Sequence, residues 1–273
     1  FGLFRYNRDT DTMIPYSGST SNHIIPGSAI TYLYEDSDGD LWIGTRSEGL
    51  YRHDIKNNRF YSYPVMNSRN SVHIIFEDSR KQIWFIGWDE GLFLLKNPKD
   101  MERVSWINYR HHPDDEYSLQ DNMAYDLYED LHTQSLWIGT RSGLSIMNSD
   151  KPGEFINYKT IRLPYYIPFD EANSIIRDRA GKMWIGTIGN GVYITDTKKP
   201  EFNLYQFKQK DETITTTSVR SIFVDDDNYI WFGIGTYGIA GYDRKTDQST
   251  YYASLPEFAG FKSIPTVNAI MKP

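Results

Sequence analysis

Five segments of this chain carry one pattern: Leu41-Trp-Ile-Gly-Thr-Arg-Ser-Glu-Gly-Leu-Tyr51, Ile83-Trp-Phe-Ile-Gly-Trp-Asp-Glu-Gly-Leu-Phe93, Leu136-Trp-Ile-Gly-Thr-Arg-Ser-Gly-Leu144, Met183-Trp-Ile-Gly-Thr-Ile-Gly-Asn-Gly-Val-Tyr193 and Ile230-Trp-Phe-Gly-Ile-Gly-Thr-Tyr-Gly-Ile239. Their leading tryptophans are Trp42, Trp84, Trp137, Trp184 and Trp231, spaced by 42, 53, 47 and 47 residues. A period of this length identifies one supersecondary unit copied along the chain, a unit too small to bury both of its faces alone.

Each copy reads as four short strands. An inner strand such as Val72-His-Ile-Ile-Phe76 comes first, then a polar turn such as Asp36-Ser-Asp-Gly-Asp40, then the Trp-Ile-Gly-Thr strand. A glycine turn leads to a third strand, Gly49-Leu-Tyr-Arg-His-Asp54 in the first copy, and Arg59-Phe-Tyr-Ser-Tyr63 closes the unit. Runs rich in β-branched and aromatic residues, punctuated by Gly, Asn and Asp, are hairpin patterns. No stretch sustains a 3.6-residue period, so crossover helices are not expected. Radial stacking buries both faces of such sheets, so the expected fold is all-β, a β-propeller of four-stranded blades. Blades are expected over about 28–63, 70–109, 122–158, 171–207 and 217–252, with partial blades at 1–17 and 266–273. The partial pieces together lack a Trp-Ile-Gly-Thr strand and cannot complete a sixth blade. The expectation is one domain over 1–273, part of a seven-bladed propeller.

Composition removes several function classes. The 36 acidic residues outnumber the 29 basic ones for a net charge of −7, a poor balance for sequence-blind nucleic-acid binding. No apolar run approaches the roughly 18 residues of a membrane helix. No signal-peptide pattern opens the chain, and any such leader is expected outside it. With no cysteine there is no disulfide, Cys-ligated zinc or thiol nucleophile.

The pattern Asp-x-x-Gly-x-(Leu/Ile/Met)-Trp-Ile-Gly-Thr-x-x-x-Gly-Leu closely resembles the two-component regulator propeller repeat over nearly the whole chain. Trp84-Phe-Ile-Gly-Trp88 and Trp231-Phe-Gly-Ile-Gly235 depart from it without breaking the frame. The resemblance implies the periplasmic sensor region of a Bacteroidetes hybrid two-component system, an inner-membrane protein. It implies an oligosaccharide ligand, an adjoining propeller and immunoglobulin-like domain in the same chain, and a homodimer. No membrane or nucleic-acid contact by this segment is implied.

The five repeated tryptophans read as core, because a residue at one register of every repeat carries packing. Gly233-Ile-Gly-Thr-Tyr-Gly238 matches a dinucleotide fingerprint, but a strand follows it and not a helix N-terminus. Asp36-Ser-Asp-Gly-Asp40 begins like a calcium loop, yet most of the homologous turns lack its alternating acids, and a solvated β-turn is expected. The histidines are expected at the surface. No catalytic constellation or cofactor is expected: no Gly-x-Ser-x-Gly or His-Glu-x-x-His occurs.

Binding residues are expected where the repeats differ, in second-to-third-strand turns and blade-to-blade connections on one face. A sugar ring wants an aromatic face, and its polar substituents want bidentate partners such as Arg. The candidate ligand residues are Arg46, Arg69, Trp88, Asp89, Arg141, Tyr165, Tyr166 and Tyr237. The same side chains suit domain docking, so a scaffold remains an alternative. A glycan-cleaving enzyme on a propeller is a further one.

Overall fold

The computed structural model describes residues 3–16, 29–63, 71–148, 150–158, 171–196, 199–205, 207–209, 212–214, 218–227, 229–235 and 238–252. They gather into two compact units, Phe1–His111 with Asn122–Ala124 and His112–Asp121 with Tyr125–Pro273.

In the first unit β1 (Phe4–Asn7) and β2 (Thr12–Pro15) form a hairpin. β3 (Ile30–Glu35), β4 (Leu41–Thr45), β5 (Leu50–Asp54) and β6 (Arg59–Tyr63) form an antiparallel sheet in chain order. β7 (Ile74–Glu77), β8 (Ile83–Gly87), β9 (Gly91–Lys96) and β10 (Ser105–Tyr109) form another. In the second unit β11 (Ala124–Asp130) to β14 (Phe155–Asn157) repeat the plan through β12 (Ser135–Thr140) and β13 (Gly143–Asn148). β15 (Ala172–Arg177), β16 (Lys182–Thr187), β17 (Val192–Asp196) and β18 (Lys199–Tyr205) do so again. The last four-stranded sheet is β21 (Val219–Val224), β22 (Ile230–Ile234), β23 (Gly238–Asp243) and β24 (Gln248–Tyr251). These are the five four-stranded blades of a β-propeller fold, with no α-helix among the described residues. The expected partial blade at 266–273 lies outside the described residues.

One hairpin departs from expectation. β19 (Phe207–Gln209) pairs with β20 (Glu212–Ile214) where the repeat pattern places the end of a blade and a connection. Its apolar residues Phe207 and Ile214 make a single cross-strand pair, too short a pattern to read as strands.

The repeated Asp and Trp belong to one device. Asp36 Oδ1 accepts the amides of Asp38 and Asp40 at 3.0 and 2.9 Å, closing the turn, and its Oδ2 accepts Trp42 Nε1 at 2.9 Å. Asp78 repeats this with Arg80, Gln82 and Trp84, and Asp178 with Ala180, Lys182 and Trp184. Asp225 repeats it with Asp227, Tyr229 and Trp231. Burial works against the Asp225 carboxylate, but the Trp231 indole and the two amides outweigh it and hold the group below its ordinary range. The third repeat differs because its Asp and Trp stand seven residues apart and not six. There Ser135 Oγ accepts Trp137 Nε1 at 3.0 Å, and Thr133 links Ser135 to Asp130 at 2.6 and 2.9 Å. The expectation of solvated turns is therefore corrected: Asp36, Asp78 and Asp178 are buried, because a large indole brought inside needs an acceptor for its N–H, and Asp130 is buried at the end of the Thr133–Ser135 relay.

The indoles sit where sheets meet. Trp42 packs in one cluster with Val72, Ile75, Ile83, Phe85 and Phe93, joining the two four-stranded sheets of the first unit. Trp137 packs with Ala172, Ile175 and Ile185, and Trp184 with Val219, Ile230 and Phe232. Each buried ring contributes about 2–3 kcal/mol by removal from water. His53 also corrects the surface expectation: it is buried, stacked on Phe60 with centroids 4.1 Å apart, with Nδ1 2.5 Å from Tyr16 Oη.

Asp126 on β11 joins two inner strands. Its carboxylate accepts the Ile175 amide of β15 at 2.6 Å and the Leu127 amide at 2.9 Å. Burial pushes its pKa up to about 7 against the opposing pull of those amides. A carboxyl with a raised folded value contributes stability that is full below about pH 4 and is lost as pH rises through about 7. Asp126→Asn carries no charge at any of these pH values. It should flatten that decline and gain on the parent by on the order of 1–2 kcal/mol at pH 8. Urea unfolding from pH 5 to 8 reads this; parallel curves for the two proteins would show that Asp126 ionises normally.

Candidate functional site

In the first unit, three chain segments far apart in sequence are laced together by hydrogen bonds. Val72 N donates to Thr45 O at 2.8 Å, His73 N to Ile86 O at 2.8 Å, and Trp88 N to Ser71 Oγ at 3.2 Å. Arg46 N is tied to Ala29 O at 2.9 Å. The close approach needs Gly44, where a Cβ would stand 3.0 Å from Val72 O. Arg46, His73 and Trp88 are thereby held at one corner by rigid backbone.

Their side chains make a mixed aromatic and cationic surface. Trp88 is 42% exposed, whereas Trp42, Trp84, Trp137 and Trp184 are buried, and its ring lies 4.8 Å from the His73 imidazole at 45°. His73 is half-buried; burial first, and then the Arg46 charge, push its pKa down, so the ring is neutral at pH 7. Arg46 is exposed and has no ion-pair partner among the described residues. Asp89 is exposed in the next turn position, in the left-handed region with φ 58°. The other acid of that turn, Glu90, is taken up by Arg110.

Arg141 lies in the second unit and is otherwise engaged. Its Nε and Nη2 donate to Asp121 at 3.2 and 3.3 Å, and Ser142 Oγ donates to the same carboxylate at 2.6 Å. The guanidinium is half exposed, so a face stays open although its charge is matched. Tyr125 lies near this pair; burial, and then Glu171, push its pKa up. Arg69, Tyr165, Tyr166 and Tyr237 lie outside the described residues.

Sequence reasoning missed His73 and Tyr125, and a signal for both was present. Five residues before the turn aspartate, the repeats carry Thr31, His73, Tyr125, Asn173 and Arg220. The residues just before these are all apolar: Ile30, Val72, Ala124, Ala172 and Val219. A register that varies inside an otherwise constant frame has the same meaning as the varied turns, and all five residues are at least partly exposed.

A cleft of about 460 Å³ in the first unit is lined by Asp36, Asp38, Glu77, Lys81, Pro98 and Lys99, among others. It is neutralised from within. Lys81 and Lys99 reach Asp38 at 2.6 and 2.5 Å and hold its pKa down at about 2. Lys99 also stands 3.5 and 3.4 Å from Asp36 and Asp40. The protein's own ammonium groups thus fill the acidic loop that begins like a calcium site. No group of His, Asp and Glu side chains arranged to hold a metal occurs among the described residues.

Comparison with known proteins follows the same lines. The two component regulator propeller family matches residues 24–47 and 166–189. A curated relative from Formosa agariphila, histidine kinase P4, is 27% identical over 239 residues, covering 84% of this chain and 17% of its own length. The extracellular domain of a hybrid two component system from B. thetaiotaomicron superposes with a TM-score of 0.68 at 23% identity, over 87% of this chain and 30% of that one. Virginiamycin B lyase from Staphylococcus aureus shares the fold at TM-score 0.64 and 15% identity, over 91% and 76% of the two chains. The chain thus spans about a sixth of the curated relative's length and under a third of the solved extracellular domain.

Proposed function

From the premise that this chain carries two-component regulator propeller repeats, we propose that it is the ligand-sensing propeller of a hybrid two-component sensor kinase. It is extracytoplasmic, in the periplasm, as part of an inner-membrane protein. It recognises oligosaccharides released from glycans and performs no chemistry itself. The proposed ligand residues are Arg46, Trp88 and Asp89 in the first unit and Arg141 in the second, and Arg69, Tyr165, Tyr166 and Tyr237 are proposed from the sequence alone. Binding shifts the population of two arrangements of a homodimer, and that geometry passes to the kinase. The five sheets belong to one domain, itself part of a seven-bladed propeller.

The observation that carries this reading is the contrast between constant and varied positions. Trp, Gly and Asp hold the blades, while the exposed turns diverge into Arg46 and an exposed Trp88. Loops on a rigid frame are where recognition concentrates. The similarity to a histidine kinase supports the signalling half.

A thermal-shift screen of this chain, with its adjoining propeller and immunoglobulin-like domain, against plant and host oligosaccharides tests the proposal. A ligand at 100 times its Kd adds about 2.7 kcal/mol to unfolding, an easily read shift. At least one oligosaccharide should give it, and Trp88→Ala should abolish it. A flat panel from a well-folded protein would sink the receptor reading.

A docking reading has its own support: the β1–β2 hairpin exposes Phe4, Tyr6 and Met13, apolar surface of the kind an adjoining sheet covers. If Trp88→Ala abolished dimerisation while ligand affinity stayed intact, docking would be favoured for that face. The lyase fold neighbour is the ground for assaying glycan turnover, which is expected to be absent.

A further inference from the structure

We propose that the Arg46–His73–Trp88 corner is a subsite for a negatively charged sugar ring, a uronate or a sulfate ester, stacked on Trp88 with its anion at Arg46. The inference rests on the receptor reading and names the ligand class of that site.

The argument starts from charge accounting in a protein whose net charge is −7. Lys81 and Lys99 are paired with Asp38, Arg110 with Glu90 and Arg52 with Asp40. Arg141 is matched by Asp121 in the second unit. Arg46 is exposed and without such a partner among the described residues, although its backbone is pinned by the Ala29 carbonyl. An exposed guanidinium without an ion pair can meet two oxygens of a carboxylate or a sulfate with two parallel N–H donors.

The rest of the corner fits the same ligand. Trp88 offers an exposed ring for the C–H face of a pyranose, and the His73 imidazole lies beside that ring. Burial first, and then the Arg46 charge, lower the proton affinity of His73, which sets the guanidinium in the neighbourhood of the imidazole and of the Trp88 ring beside it. Glu48 and Asp89 stand on the two flanking turns. Asp89 is exposed and serves as an acceptor for ring hydroxyls, while a neutral His73 donates or accepts one hydrogen bond.

The test is calorimetric titration of the full chain with trigalacturonate, a sulfated chondroitin disaccharide and neutral xylotriose. At least one charged sugar should bind about tenfold or more tightly than xylotriose. Its affinity should fall with added salt, as an exposed ion pair requires. Arg46→Gln should erase the preference for charge and the salt dependence together. Trp88→Ala should weaken charged and neutral sugars alike. Both side chains are exposed, so unchanged melting temperatures show that the variants fold. If carboxylated and sulfated sugars differ, the tighter one names the anion. If xylotriose binds as well as the charged sugars, or Arg46→Gln keeps the preference, the anionic subsite is wrong while the receptor reading stands. If none of the three binds, the anionic subsite is wrong, and the oligosaccharide screen alone decides the receptor reading.

Discussion

Asp178→Ala should lower the unfolding free energy by about 3–5 kcal/mol, a large fraction of the stability of an ordinary domain. The carboxylate is buried and does four jobs. It accepts the Ala180 and Lys182 amides at 2.9 Å each and the Trp184 indole at 2.6 Å, and it pairs with Arg244 at 2.8 Å. Truncation removes the acceptor of a buried indole N–H and a carboxylate that faces a mostly buried guanidinium. Each loss carries a desolvation cost. Trp184 is also the ring around which Val219, Ile230 and Phe232 pack, so loosening it reaches the next sheet. The same change at Asp225 should cost clearly less, because Trp231 and Asp225 are only partly buried and water can replace the lost acceptor. Urea denaturation of both variants measures the difference. Equal losses, or a loss below about 1 kcal/mol at Asp178, would show that the clasp is not what holds the turn.

Gly139→Ala is expected to be comparably severe for a different reason. Gly139 belongs to the Trp-Ile-Gly-Thr strand β12, in a backbone conformation open to any residue. A Cβ there would stand 2.5 Å from the Ala172 carbonyl oxygen and 3.1 Å from its carbon, at the start of β15 in the following sheet. Backbone atoms cannot swing aside as a side chain can, so one added methyl group must separate two sheets. Overpacking of a rigid contact costs about 1–3 kcal/mol, and shifting a strand start whose own residue Ala172 is fully buried adds to it. The expected total is about 3 kcal/mol or more. Gly189→Ala separates the two ways in which a glycine matters. Gly189 has φ 93° and nothing within 4 Å of a built Cβ, so its substitution should cost only the left-handed strain, about 1–2 kcal/mol. Thermal unfolding that ranked Gly189→Ala as the more damaging would overturn the packing account.

These two expectations mark how far the chain could be read before it folded. The Trp-Ile-Gly-Thr register announced β4, β8, β12, β16 and β22, and the alternating runs announced their neighbours. Hairpin pairing is local, so its pattern repeats in sequence wherever it repeats in space. The Asp-to-Trp interval was equally visible, six residues in four repeats and seven in the third, where Ser135 stands in as acceptor. Its meaning was not, since a turn aspartate looks the same whether water or an indole meets its second oxygen.

The candidate site divides along the same line. Arg46 and Trp88 stood out because they break the repeat, and the same reasoning applied one strand earlier would have found His73. That the three share a corner follows from hydrogen bonds between segments 45–46, 71–73 and 86–88, which are separated along the chain and meet only when the sheets pack. Arg141 shows the converse. In sequence it is indistinguishable from Arg46, since both follow Trp-Ile-Gly-Thr and precede Ser. Folding sets Asp121 against Arg141 and leaves Arg46 open. The sequence by itself determined the blade, because strand, turn and core periods are short-range and repeat five times. Only the tertiary structure decided which cation is spent and which is free, because that depends on a residue twenty positions away arriving within about 3 Å.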